Sequence, residues 1–283
     1  MSLGILTNVA ATNAENSLNN TQNSLNTVLE QLSTGSRINS GSDDAAGLSI
    51  SDGLTANEAA LTQSAQNAQN GVGLLQTADG ALSQVTNLLD RAVTLATEAA
   101  NGGLTTAQST AANTEFQSIV TEIGNIGSTT NFNSVNVFSA TPTNFVVSDG
   151  TTAGTTTIAA TVGTLTSANV GGVATLAADT LTGATAAAGQ TAALAALTDV
   201  TTAIAGISAQ RGAIGANVNQ LNAASNVASS EEVNLSSAQS AILSTNFGQA
   251  TSDLAKFQVL DQTGISALAQ ANSTAQEILK LLQ

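Results

Sequence analysis

Histidine, cysteine, tryptophan and tyrosine are all absent from this 283-residue chain, and proline occurs once. Without histidine the chain lacks the commonest general base and the commonest neutral metal ligand. Without cysteine there is neither a disulfide nor a thiolate site. Serine and threonine are abundant, but none has a histidine or lysine activator near it in sequence. The glycine pairs Gly71-Val72-Gly73 and Asn101-Gly102-Gly103 lack the spacing of a phosphate-binding loop. These absences predict a protein that is not an enzyme and has no catalytic, cofactor-binding or metal-binding residues. Basic residues are almost as scarce. Arg37, Arg91, Arg211, Lys256 and Lys280 stand against 19 acidic residues, giving a net charge of −14. Five scattered cations make no phosphate-tracking stripe and no anchor on anionic lipid, so neither nucleic acid nor membrane is expected as a partner. The first twenty residues hold no Lys or Arg and no long apolar run. No cleaved secretory signal and no transmembrane span are therefore expected.

Aromatic residues make up only 2% of the chain, all of them Phe. Alanine, serine, threonine, asparagine, glutamine and glycine dominate instead. A buried alanine removes far less apolar area from water than a buried leucine, so a thick core is hard to build. Long helices touching along narrow stripes are easier. Such stripes are present at both ends. Ala11, Ala14, Leu18, Thr21, Leu25, Val28 and Leu32 recur at alternating gaps of three and four residues. Leu268, Ala271, Ala275, Ile278 and Leu282 do the same near the other end. A mean spacing of 3.5 belongs to helices that pack along a seam.

Between these ends the period changes twice. A first helix ends at Leu32, followed by Gly35 as a C-cap. Asp43 and Asp44 precede a second long helix, where carboxylates can accept the free amides of a helix start. Its stripe runs Leu61, Ala65, Ala68, Val72, Leu75, Ala78, Leu82, Val85, Leu89, Ala92 and Ala96, and Asn101-Gly102-Gly103 stops it. A third helix is predicted over about Thr106 to Ile126. Phe132, Asn133-Ser134 and Val135 predict a short hairpin. Asn144 to Val147 and Thr155 to Val162 predict strands, with Ser148-Asp149-Gly150 as a turn between them. From Gln190 the helical period returns through Leu194, Leu197, Ile204, Ile207, Ile214, Val218 and Leu221. The predicted fold is mainly α: long antiparallel helices in a coiled-coil or rod bundle, with a small β-hairpin-rich region at the tip and both termini together at the other end.

Two groups of residues point to association. Arg37 is a rare cation in a polar loop and a candidate for a charged contact to another subunit. Arg91 and Arg211 are each expected to pair with a carboxylate such as Asp90 or Glu98, in their own helix or a neighbouring one. The last stripe ends in Ile278, Leu279, Leu281 and Leu282, an edge too apolar for so small a core. Helices without tertiary contacts melt in water, so the terminal segments are expected to fold fully only when subunits stack.

The segments Leu29-Glu30-Gln31-Leu32-Ser33-Thr34-Gly35, Arg37-Ile38-Asn39-Ser40 and Asp43-Asp44-Ala45-Ala46-Gly47-Leu48 together resemble the signature of bacterial flagellin. Ala68-Gln69-Asn70-Gly71, Thr77 to Leu82 and Phe132-Asn133-Ser134-Val135 extend the resemblance. Ile265 to Asn272 and Ile278 to Leu282 carry it at the far end, so it covers about residues 3–140 and 190–283. The resemblance implies a structural subunit that polymerises into the extracellular helical filament of the bacterial flagellum for swimming motility. It implies a terminal inner-tube domain over about 1–44 and 236–283, and a rod-like domain over 45–235 that includes a β region at about 129–185. The short middle predicts no separate outer domain. The implied partners are copies of the chain itself, the flagellar export apparatus, a chaperone on the C-terminal segment, and the filament cap and hook-junction proteins, with export that uses no cleaved signal peptide.

On this reading the subunit-interface candidates are Leu18, Leu25, Leu32, Arg37, Asn39, Asp43, Leu268, Ala275, Ile278 and Leu282. Leu89 to Leu95 resembles the site through which some flagellins are detected by a toll-like receptor, which makes Arg91 and Leu95 contact candidates; Asp90 stands where receptor-active members often have Gln. Ala241 to Gln249 departs from the more acidic pattern usual in the family. The nearest rivals are a hook–filament junction protein, which shares the terminal helices, and a secreted helical adhesin, which needs no matched ends.

Overall fold

The computed structural model describes residues 8–149 and 156–281, with the side chains of Ala275 and 278–281 excepted. The chain divides into two compact units, one of residues 1–56 with 234–283, the other of residues 57–233. Five helices and four short strands account for the described regular structure: α1 (Val9–Thr34), α2 (Ala45–Ala100), α3 (Thr106–Thr129), β1 (Asn131–Phe132), β2 (Val135–Asn136), β3 (Thr143–Val146), β4 (Thr157–Ala160), α4 (Ala186–Leu243) and α5 (Phe247–Leu281).

Local chemistry sets the boundaries. Asn8 caps α1, its side chain accepting from the Ala11 amide at 3.1 Å, and Gly35 ends the helix at φ 73°, a left-handed conformation that glycine adopts without strain. Asp44 accepts from the Gly47 amide at 2.9 Å and so starts α2. Its neighbour Asp43 turns back to the loop before the helix instead. Thr105 and Gln108 form a reciprocal capping box at the start of α3. Asn133 and Ser134 both have positive φ, the twist a two-residue hairpin loop requires, and they join β1 to β2 in antiparallel register. β3 and β4 pair antiparallel from Thr143–Ala160 to Val146–Thr157. Gly150 of the expected Ser148-Asp149-Gly150 turn lies outside the described residues.

In the unit of residues 1–56 and 234–283, α1 and α5 run antiparallel. Asn8 donates to the Ala271 carbonyl at 2.9 Å, Leu18 packs on Gly264, and the Thr245 amide donates to the Gly35 carbonyl at 3.0 Å. The sum of paired residue numbers stays nearly constant along the pair, so the register does not slip.

In the other unit, α2 supplies the core stripe. Leu61, Ala68, Leu75, Ala78, Leu82, Val85, Leu89, Ala92 and Ala96 are buried, while Ala65 and Val72 are half-buried. α3 adds Phe116, Ile119, Val120 and Ile123. α4 runs antiparallel to α2: Arg211 meets Asp79 at 2.7 Å, and Gln190 donates to the Ala100 carbonyl at 2.8 Å. The segment between β4 and α4 buries Leu165, Val170, Leu176 and Leu181. It approaches so closely that a Cβ on Gly127 would stand 1.9 Å from the Leu165 carbonyl oxygen, and one on Gly206 would stand 1.8 Å from that of Gly171.

Three expectations change. The hairpins do not sit at the tip of this unit. Ser64 donates to the Ser148 carbonyl, Asn67 donates to that of Val146, and Gly73 lies under Phe132, so the β region lies along the middle of α2. The far end of α2, at Ala100, meets the start of α4 instead. The second change concerns the core face of α4. Its buried residues are Gly189, Ala193, Ala196, Val200, Ala203, Ile207, Ile214 and Leu221, whereas Leu194 is 52% exposed. Backbone packs directly against two places on this face, Gly171 at Ala203 and Gly206, and Gly183 at Gly189. The third concerns apolar length. α4 is long and apolar enough to cross a membrane by length and composition, with an 18-residue window of mean hydropathy 1.5. Of that window, 28% is buried, through the inward residues that belong to the core of the unit.

Candidate assembly surface

The seam between α1 and α5 is built from the residues that the spacing selected. Ala11, Ala14, Leu18, Thr21, Leu25 and Leu32 are half-buried and Val28 is buried, whereas the positions between them are mostly exposed. On α5, Leu254, Phe257, Gly264, Leu268 and Ala271 are half-buried. Of the other candidates on that helix, the side chains of Ala275 and Ile278 and the whole of Leu282 lie outside the described residues.

The loop after α1 is held by backbone and side-chain hydrogen bonds. The Arg37 amide donates to the Leu243 carbonyl at 2.6 Å, its guanidinium Nη2 donates to the Ile242 carbonyl at 3.0 Å, and Gln31 donates to the Arg37 carbonyl at 3.1 Å. The Arg37 side chain therefore lies at the C-terminal end of α4, where the last carbonyls lack helical partners and a cation is favoured. Asn39 donates through its side chain to the Ser36 carbonyl at 3.1 Å. One Asp43 oxygen accepts from the Asn39 and Ser40 amides, at 3.0 and 2.9 Å, and from the Ser40 hydroxyl at 3.1 Å. Those donors, the Asn39 amide foremost, favour the ionised carboxylate and hold its pKa below the ordinary value. Asp43 is thus the staple of the loop, and only Asp44 caps the helix. Gly47 lies tight between Asp44 and Ile38: a Cβ there would come within 2.6 Å of Asp44 Oδ2 and 2.7 Å of Ile38 Cδ1.

One seam does not use up the apolar surface of these helices. Val9 and Leu29 on α1, and Val259, Leu260 and Ile265 on α5, are exposed, Val259 by 60%. Phe247, at the first turn of α5, is exposed as well. Val9 and Val259 lie on the face away from the 3–4 stripe, and Leu29, Leu260 and Ile265 flank it, so the stripe alone does not single them out. A signal for three of them lies in adjacent apolar pairs: of Val28-Leu29 the seam takes only Val28, and of Val259-Leu260 it takes neither.

Arg91 and Arg211 pair with carboxylates on neighbouring helices. Arg91 forms a two-pronged bond to Glu115 on α3, at 2.6 and 3.0 Å, and Arg211 a similar one to Asp79 on α2, at 2.7 and 3.3 Å. Both pairs are substantially exposed, so water screens them and they add little net stability. Leu95, expected with Arg91 as a receptor contact, is 2% exposed. It is part of the core next to Ala96, one position off the predicted α2 stripe. Among the described residues, no group of three or more carboxylates could hold a metal ion.

Comparison with known proteins shows which family builds such a pair. The bacterial flagellin N-terminal helical region matches residues 5–143, and the flagellin C-terminal helical region matches residues 197–282. A flagellin of Halalkalibacterium halodurans is 31% identical over 277 residues, covering 98% of each chain. This chain belongs to the flagellin family. A flagellar filament 33 kDa core protein of Treponema phagedenis is also 31% identical, again over 98% of both chains. A Serratia marcescens flagellin is 41% identical over 136 residues, 48% of this chain but 39% of that longer protein. The crystal structure of Bacillus cereus flagellin is similar with a TM-score of 0.47 and 26% identity, covering 57% of this flagellin and 88% of that chain.

Proposed function

We infer that this flagellin is a structural subunit that polymerises into the extracellular flagellar filament and so serves motility. Two relatives matched along nearly their whole length carry filament or flagellin names, and both terminal helical regions match the family. The observation that carries the mechanism is the apolar surface that the α1/α5 pair leaves exposed. Exposed Val9, Leu29, Val259, Leu260 and Ile265 give the pair a surface that a stacked copy can cover.

On this reading, residues 1–44 and 236–283 form the inner tube as a coiled coil, and 45–235 form the surrounding rod-like layer without a separate outer domain. Leu18, Leu25, Leu32 and Leu268 hold the pair together within the subunit, and Ala275, Ile278 and Leu282 continue its stripe. Arg37, Asn39 and Asp43 fix the loop at its end, where a neighbouring subunit also packs. The export apparatus, a C-terminal chaperone and the cap and hook-junction proteins are the partners before and during assembly. Electron microscopy after seeded polymerisation tests the reading. Helical filaments with a narrow central channel support it, and failure of the intact chain to polymerise on a competent seed contradicts it.

A further inference from the structure

Asn-Gly occurs twice in this chain, at Asn70-Gly71 and Asn101-Gly102, and the structure places the two dipeptides in opposite settings. Asn-Gly is the dipeptide with the least obstructed backbone nitrogen after an asparagine, since glycine carries no side chain to hinder approach to the amide carbon. Reaction between the two needs a following N–H that is free and a chain able to swing the side chain toward it.

Asn70-Gly71 lies inside α2, where the Gly71 N–H belongs to the helical ladder. Gly71 is also buried: a Cβ there would come within 2.8 Å of Leu221 and 3.0 Å of Phe145. Asn101-Gly102 follows the last residue of α2, in the exposed turn before Thr105 caps α3. The Asn101 amide donates to the Glu98 carbonyl at 3.2 Å, and Gly102 has φ 65°. Among the described residues, neither the Asn101 side chain nor the Gly102 N–H has a hydrogen-bond partner. Gly103 beyond it has open space around it, and the one side chain that approaches Gly102 is Gln190, 3.3 Å from where a Cβ would stand.

We propose that Asn101 is a site of spontaneous covalent modification, converting to aspartate and isoaspartate through a cyclic imide. Water or hydroxide takes the Gly102 amide proton, and the nitrogen attacks Asn101 Cγ. A new C–N bond forms, the side-chain amide leaves as ammonia, and a five-membered imide results. One water then opens either carbonyl of the ring. Opening on one side gives aspartate with the ordinary backbone; opening on the other routes the backbone through the side-chain carbon and leaves the α-carboxylate free. The balance is one water consumed and one ammonia released, with no oxidant or metal.

The product alters the place it forms. Either route puts a negative charge beside the C-terminal carbonyls of α2, the end of a helix where a negative charge is disfavoured. The isoaspartyl route also lengthens the backbone by one carbon directly after Ala100, whose carbonyl holds Gln190 at the start of α4. The modified chain loses that hydrogen bond, and the contact between the ends of α2 and α4 loosens with it.

The test is to age the purified full chain in mildly alkaline buffer, digest it at acid pH, and follow both sites by tandem mass spectrometry. Methyl transfer by an isoaspartyl methyltransferase serves as a second readout. In the native chain, position 101 converts faster than position 70 by a factor on the order of ten or more, because reaction at Gly71 must await local opening of the helix. In denaturant the two rates converge, since both asparagines precede glycine. Asn101→Ser removes most of the methyl acceptance from the aged native protein. Equal native rates at the two sites overturn the proposal. So does a position 101 that converts in denaturant but is as protected as position 70 in the native chain, or undiminished methyl acceptance in the Asn101→Ser variant.

Discussion

The Thr245 amide donates to the Gly35 carbonyl at 3.0 Å, and this bond ties the end of α1 to the residue just ahead of α5. Gly35 can make it because its φ of 73° turns the chain at the helix end. The Ser36–Ser244 bridge and the Arg37 amide on the Leu243 carbonyl continue the contact for two more residues. A short strand-like clasp therefore closes one end of the helix pair.

Gly35→Ala tests the clasp. The added Cβ has ordinary space, 3.7 Å from the Phe247 ring, so the cost is conformational and not steric. A loss of about 1 kcal/mol in unfolding free energy is expected, the usual penalty for a non-glycine residue in the left-handed region. Chemical denaturation of the monomer measures it.

Gly127→Ala is expected to be far more damaging. Its Cβ would lie 1.9 Å from a backbone oxygen of Leu165, so either α3 or the segment that crosses it must move. A destabilisation of about 3 kcal/mol or more follows from forced overpacking against backbone, read as a fall in the denaturation midpoint. Gly103→Ala, at an open position, is the control and changes little.

Asp179 predicts a pH dependence. Partial burial, followed by the charge and hydrogen bonding of nearby Asp199, raises its pKa from 3.8 to about 6. Thr175 donates its hydroxyl to Asp199 Oδ2, and Gln117 on α3 donates to the Asp179 carbonyl, so the pair is held in place from three segments. A raised carboxylate pKa means that the folded chain holds a proton which the unfolded chain releases. This group therefore costs stability above pH 6, and the cost fades as pH falls from 6 toward 3.8. Asp179→Asn is expected to raise stability at neutral pH by on the order of 1 kcal/mol, solvent screening keeping it below the full linkage value. It should also flatten the stability profile in that window. Asp43 acts in the opposite sense. Its lowered pKa gives stability that is present above the ordinary value and lost as acid protonates it.

Val259→Glu with Leu260→Glu separates folding from assembly. Both side chains are exposed and neither belongs to the seam with α1. The double variant should keep the helix content of the monomer, within about 0.5 kcal/mol in stability, as surface changes usually do. It should fail to elongate seeds, because two charges would be buried without partners at the subunit contact. Circular dichroism and seeded light scattering give the two readouts.

The helical frame was legible because a 3–4 spacing of apolar residues matches the period of a packed helix and fits neither a strand nor a loop. The seam positions from Ala11 to Leu32, the Gly35 cap and the Asn133-Ser134 hairpin follow from spacing and turn chemistry alone. Other features depend on contacts between distant residues. At Ala203 and Gly206 the inward face of α4 is small where the Gly171 backbone presses on it, and no pattern within α4 reports that. Asp43 and Asp44 are adjacent and identical in type, yet one staples a loop and the other caps a helix, a division set by the fold of Asn39-Ser40. Leu95 falls one position off the stripe predicted for α2, yet the fold buries it.

On the proposed function, the α1/α5 pair is incomplete in the monomer and is completed by neighbouring subunits. Only Val28 on α1 is buried in the isolated chain, so the pair has little apolar burial to resist opening. Amide hydrogen exchange compared between monomer and filament measures this directly. Rapid exchange along α1 and α5 in the monomer, with strong protection of the same amides in the filament and little change along the core face of α2, is the predicted result. Terminal helices already as protected in the monomer as α2 would contradict it.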